Sequence, residues 1–262
     1  NQEYSFHNKH GDKINSMILD SGCFTLNYAK EDVSAKINLP NYGDYALTTI
    51  NSFDWQFNFD SDFSNNGFPT NLRNLKWLET MGLKPVPVVH DIYGNEISYY
   101  ISHGYKRVAL GSKQIKSNKT LGLVMNKFRR TKTKIHLFGN TKFELLANYP
   151  IHSCDTAMWA RTGGYGFINY WNPKRKGVNK TDRIYMQEYL NPDKSKRTTY
   201  SKYRYKSDLD EFLWNTFKIT YQDIMGSEGA YLKMLVNTFY YVQLERTITK
   251  IHELKGFDTS DV

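Results

Sequence analysis

The chain has 262 residues, enough for one large α/β domain or two small ones, and its 35 Lys and Arg against 26 Asp and Glu give a formal charge of +9, which raises the expectation of a polyanionic partner without identifying one. Its two cysteines, Cys23 and Cys154, form no CxxC pair and exclude a cysteine-rich zinc site. No run of about 18 apolar residues occurs and the polar start NQEYSFHNKHGDK is no signal peptide, so a soluble cytoplasmic protein is expected.

Seven short apolar runs follow one another along the chain, most ending in polar or small residues. They are SMILDSG (16–22), DWQFNFDSD (54–62), KPVPVVHD (84–91), YKRVALGS (105–112), TKIHLFGN (133–140), YPIHSCDTA (149–157) and GYGFINYW (164–171). Helical patterns lie between them. NLRNLKWLETMG (71–82) has Leu72, Leu75 and Leu78 on one face and stops at Gly82. NEISYYISHG (95–104), KTLGLVMNKFRR (119–130) and NTKFELLANY (140–149) also fit. Strand, loop and helix in repetition predict βα units and a parallel sheet.

The polar strand ends are spread over at least five of these units, and the first strand is not followed by GxGxxG. This favours a (β/α)8 TIM barrel over a doubly wound sheet. A single catalytic domain over 1–262 is expected, with TFKITYQDI (216–224) as a candidate eighth strand. Residues 172–215 break the rhythm as a basic, Tyr-bearing insertion or long loops. A C-terminal helix near 228–251 carries Leu232, Leu235, Phe239 and Val242 as its apolar stripe.

Asp20 and Asp155 each follow a strand-like run and precede small residues, Ser21-Gly22 and Thr156-Ala157. On one barrel both would point into one cavity, the equipment of glycosidic chemistry. Each also fits the cap of a following helix. His90 and Asp91 end another run, and a metal set with Asp60 and His136 is conceivable. Its spacing is loose and His136 reads better as a core residue, so no metal is expected.

These residues resemble motifs of the tRNA-guanine transglycosylase superfamily, closest to its short phage-type members, the DpdA-like DNA 7-deazaguanine transglycosylases. LDSGCF (19–24) is similar to the family's DSGGFQ element, and FNFDSD (57–62) to the strand that ends in a base-recognising aspartate. PVPVVHD (85–91) stands in the place of VQGG, RVALGS (107–112) resembles GGLAVG, IHLFGN (135–140) resembles YLMGVG, and SCDTAMWAR (153–161) resembles MFDCVMPTR. Together they span residues 17–161, and His90 replaces a glutamine. The family's C-terminal zinc signature is absent for want of cysteines.

The resemblance implies exchange of guanine in nucleic acid, DNA favoured over tRNA, for a 7-deazaguanine base such as 7-cyano-7-deazaguanine. It implies no metal or redox cofactor. Asp155 would be the nucleophile and Asp20 the proton-transfer group. Asp60, or its rival Asp62, would read the base, and His90 would contact it. Ala109, Leu110 and Gly111 would cradle the base, with room at Ser21 and Gly22. Phe24 and Trp159 would sandwich it or simply pack, and Arg161 would bind a phosphate or orient the nucleophile.

The target base must leave a duplex or be single-stranded. Arg175, Lys176, Lys180, Lys194, Lys196, Arg197, Lys202 and Arg204 are candidates to track phosphates. Tyr200, Tyr203 and Tyr205, interleaved with Lys202, Arg204 and Lys206, are candidates for stacking. Three alternatives stand beside DNA base exchange. They are a tRNA enzyme without the zinc module, a base hydrolase or glycosylase, and a non-catalytic nucleic-acid-binding protein.

Overall fold

In the computed structural model, residues 9–28, 37–187 and 198–260 are described. The chain divides into two compact units. Unit 1 comprises Asn1–Phe138, Asn148–Cys154 and Ser260–Val262, and unit 2 comprises Gly139–Ala147 and Asp155–Thr259.

Unit 1 is built on short parallel strands. β1 (Ile18–Leu19) pairs with β2 (Trp55–Gln56). β3 (Val88–Val89), β4 (Arg107–Leu110), β5 (Lys134–Leu137) and β6 (Ser153–Cys154) form a second sheet in sequence order. A parallel bridge between Phe57 and Val86 connects the continuation of β2 to the run entering β3. Crossovers are helical: α1 (Cys23–Tyr28), α2 (Leu39–Thr48), α3 (Phe68–Thr80), α4 (Glu96–Ser102) and α5 (Asn118–Phe128).

Local chemistry sets their ends. Asn38 caps α2 by accepting the Asn41 N–H at 2.9 Å, and Ser117 caps α5 by accepting that of Thr120 at 3.2 Å. α5 buries Leu121, Val124, Met125 and Phe128, the i, i+3, i+4, i+7 face of an amphipathic helix. Trp55, Phe57, Val86, Val88 and Ala109 form one core cluster, and Cys23, Tyr42, Ala46, Phe59, Leu78 and Leu83 form another.

Unit 2 opens with α6 (Phe143–Asn148, its last residue in unit 1) and α7 (Met158–Gly164). It continues with β7 (Phe167–Trp171), β8 (Thr181–Tyr185), α8 (Lys206–Phe217), α9 (Tyr221–Met225) and α10 (Gly229–Lys255). Ile168, Tyr170, Ile184, Met186, Leu209, Leu213, Ile224 and Val236 form its core.

The expected (β/α)8 barrel does not form. The described strands make three sheets of two, four and two strands, and β7 and β8 are antiparallel. A parallel neighbour needs a crossover of a dozen or more residues, usually a helix, whereas residues 172–180 join β7 to β8 as a short turn. The candidate eighth strand is not a strand either. Residues 216–217 end α8, Lys218 takes the left-handed conformation at φ 59°, and Thr220 and Asp223 form a capping box that starts α9. The segment 172–215, expected as loops, contains β8 and most of α8.

The buried face of α10 also differs from the expected stripe. Leu235 and Val242 are exposed, and the helix buries Lys233, Val236, Asn237, Tyr240, Leu244, Ile248 and His252. Three of these seven are polar, while Leu232 and Phe239 of the expected stripe pack partly buried.

Candidate active site

In unit 1 the chain leaving β2 carries Asn58 and Asp60, both buried. Asn58 Nδ2 donates to Asp60 Oδ1 at 2.8 Å and to the Asn71 carbonyl of α3 at 2.9 Å. Burial raises the Asp60 carboxyl above the usual carboxylate range. His90 and Asn58 oppose that shift, and the charge of Asp20 adds to it. His90 Nε2 lies 3.7 Å from Asp60 Oδ2, too far for a hydrogen bond, and is buried without a hydrogen-bond partner among the described residues.

The His90 ring is held on several sides. Phe63 stacks on it at 4.8 Å between centroids, tilted by 22°. A Cβ on Gly111 would come within 2.9 Å of Val88 Cγ1 and 3.4 Å of His90 Cε1, so the bare backbone there makes room for the ring. Glu96 Oε2 accepts the backbone N–H groups of His90 and Asp91, and burial raises that carboxyl despite these bonds. Gln114 joins the loops after β3 and β4 by donating to Asp91 and accepting from Ile92 and Ser112.

Asp20 directly follows β1 and is exposed, while Ser21 and Cys23 after it are buried. Gly22 adopts φ +74°, a turn conformation that a side chain would strain. Burial pushes the Cys23 thiol up to about 12; its hydrogen bond with Ser21 lowers it, and Asp60 and Asp20 raise it further. It is therefore a neutral wall residue rather than a nucleophile. Phe24 is 56% exposed on α1.

Asp62 has a different task from Asp60. Its carboxylate accepts the Ser64 N–H at 2.9 Å, and hydrogen bonds from Ser64 hold it below the usual range. Its backbone is clamped by the Asn71 side chain. In the wall, the N–H groups of Ala109 and Gly111 donate to Pro87 and Val89, and the Leu110 carbonyl accepts from Phe138. These backbone groups are engaged in the sheet.

In unit 2, Asp155 is exposed and accepts the Gly139 N–H at 2.9 Å. Thr156 Oγ1 accepts the Met158 N–H at the start of α7. Trp159 and Arg161 are exposed on α7. The basic candidates divide. Arg175 donates to Asp182 and to the Thr181 carbonyl, and Lys180 donates to the Pro173 and Arg175 carbonyls. Lys176, Lys202 and Arg204 are exposed. Lys194, Lys196 and Arg197 lie outside the described residues.

The stacking role expected for the tyrosines is not available to Tyr200 and Tyr203, which are buried in the unit 2 core. Tyr200 lies flat on Tyr221 at 3.8 Å, and the Tyr203 hydroxyl donates to Asp182 at 2.6 Å. Tyr205 packs partly buried against the same core. The aromatic body outweighed the polar neighbours that suggested a loop.

No group of three or more His, Cys, Asp or Glu side chains is placed to hold a metal ion among the described residues, so Asp60, His90, Asp91 and His136 do not assemble as one. His136 is a core residue packed among Trp55, Phe57 and Phe138, its Nδ1 3.0 Å from Ser153 Oγ. A cavity of about 300 Å³ lies at the beginnings of β1 and β2, lined by Ser16, Met17, Phe53 and Asp54 among others. Asp20 and Asp60 stand at the opposite ends of those strands.

No family model, curated protein or solved structure matches this chain. The site therefore rests on its own chemistry: a buried carboxyl, a facing imidazole whose Nε2 has no hydrogen-bond partner among the described residues, and a second carboxylate, Asp20, whose charge raises the buried carboxyl further. Asn58, Phe63 and Glu96 were not singled out from the sequence. Asn58 carried a readable signal, a polar residue between two aromatics and in alternation with Asp60. Phe63 and Glu96 carried none, because their roles depend on contacts with His90 from other parts of the chain.

Proposed function

We propose that this protein exchanges guanine in a nucleic acid for a 7-deazaguanine base. The observation that carries the reading is the buried Asp60 carboxyl facing His90 Nε2, which has no hydrogen-bond partner among the described residues. A carboxyl raised by burial is short of donors. The N1–H and 2-amino group of a guanine-type edge supply two, and their hydrogen bonds favour its ionised form. Base binding is then expected to lower the raised Asp60 pKa.

In the proposed exchange, Asp155 attacks C1′ of the nucleoside, the C1′–N9 bond breaks, and guanine leaves with the electron pair and takes up a proton from solvent water. The incoming base gives its N9 proton to the exposed Asp20, which returns it to solvent, and the base displaces Asp155 from C1′. DNA is the favoured substrate.

The test is incorporation of labelled guanine or 7-cyano-7-deazaguanine into single-stranded DNA, duplex DNA and tRNA. Label is expected in DNA, with none for Asp155→Asn and full activity for Asp62→Ala. Release of guanine without incorporation, or no reaction with any of the three, overturns the proposal.

A further inference from the structure

Beginning a few residues after Asp155, unit 2 carries exposed aromatic residues. Trp159 on α7 is 42% exposed, Tyr165 just after α7 is 63% exposed, and Tyr231 in the first turn of α10 is 63% exposed. α7 and α10 meet closely at Gly163, where a Cβ would stand 2.9 Å from the Ala230 carbonyl oxygen and 3.0 Å from Met234 Cγ. Trp159 lies one turn before that crossing and Tyr165 two residues after it, while Tyr231 adjoins Ala230. Arg161, between Trp159 and Gly163, is exposed.

Two exposed rings, Trp159 and Tyr231, flanking one crossing of a chain with a formal charge of +9 fit a partner that has both flat π-faces and negative charge. A second copy of the chain is a poor fit, since each copy brings a formal charge of +9 and like charges oppose their approach. A nucleic-acid strand answers both features. Asp155 precedes α7 by three residues, so a strand offering C1′ to Asp155 passes the start of this helix.

We infer that α7 and the start of α10 form a stacking platform for the unpaired nucleotides that flank the reacting one. The inference rests on the reading of Asp155 as nucleophile. It adds the substrate form, an unpaired strand, and the residues that grip it by stacking rather than by charge.

The experiment measures binding of the full chain, carrying Asp155→Asn to prevent turnover, to labelled oligonucleotides of about 12 nucleotides. Single-stranded and duplex forms of DNA and RNA are compared at two salt concentrations. Trp159→Ala and Tyr231→Ala are each expected to weaken single-strand binding about tenfold. The slope of log Kd against log salt should stay unchanged, because no phosphate contact is removed. Trp159→Phe and Tyr231→Phe should restore binding, and circular dichroism of each variant checks the fold.

Unchanged single-strand affinity in the Trp159→Ala/Tyr231→Ala double variant, with the parent binding well, overturns this inference alone. So does sedimentation showing a dimer that the double variant loses while it still binds oligonucleotides. A parent chain that binds no DNA or RNA at low salt overturns this inference and the exchange reading together.

Discussion

The two units treat buried polar groups differently. In unit 2 those of α10 are tied to the backbone. Lys233 Nζ donates to the Ile224 carbonyl, Asn237 Oδ1 accepts the Asn169 N–H at 2.7 Å, and His252 Nε2 lies 2.7 Å from the Leu146 carbonyl oxygen. In unit 1, Trp55 Nε1, Asn58 Oδ1, His90 Nε2 and Arg107 Nε are buried without a hydrogen-bond partner among the described residues. A satisfied buried polar group serves the fold, and an unsatisfied one calls for an explanation outside it. Of the unsatisfied atoms in unit 1, His90 Nε2 is the one that faces a buried carboxyl, which is why the site is placed there.

The comparison breaks most visibly at Asp60. Asp60→Asn is expected to lower kcat/KM for exchange by at least about 100-fold, through loss of two charge-assisted hydrogen bonds to the base. The same change should stabilise the free protein at neutral pH. The folded-state pKa of Asp60 lies above its unfolded value, so the native state holds the extra proton between the two and wild-type stability falls as pH rises through the folded value. The variant lacks that fall. Its Tm advantage should therefore be larger at pH 7 than at pH 4, and a Tm deficit at pH 7 would place Asp60 among the structural polar groups.

Asn237→Ala tests the other side. It strips the buried Asn169 N–H of its acceptor and the Phe167 carbonyl of a donor at 3.4 Å. A loss of about 2–3 kcal/mol in urea unfolding is expected, with the pH profile of exchange unmoved. A shifted profile would show that the two kinds of polar group are not separable.

The smallest effect belongs to Lys233. Burial lowers its pKa, so the cost of its charge is fully present below the folded value and is relieved as pH rises toward the unfolded one. Lys233→Met should raise Tm at pH 7 by about 2–4 °C, with the gain shrinking toward pH 10. A fall in Tm would mean that the bond to the Ile224 carbonyl outweighs the cost of burying the charge.

Local order was legible along most of the chain. The seven apolar runs all contain strand residues, and the helical patterns between them became α3 to α6 within a few residues of their expected limits. What misled was the assumption that the βα rhythm continues. A turn such as 172–180 reverses strand direction, and the stretch 216–224 reads as an alternating strand until its Thr220–Asp223 cap is recognised. α10 was found, but its facing only in part: Leu232 and Phe239 pack inward and Leu235 and Val242 do not, because Lys233, Asn237 and His252 are buried against backbone groups that no periodicity reveals.

The sequence by itself determined where β1 to β7, α3 to α6 and α10 lie and that acidic and histidine residues collect at strand ends, because hydrophobic period is local. Only the tertiary structure decided that the strands form three sheets, that Asp60 is buried while Asp62 holds a turn, and that Tyr200 and Tyr203 belong to a core. Those outcomes depend on which distant groups compete for each hydrogen bond and each buried place, and that competition exists only once the chain has folded.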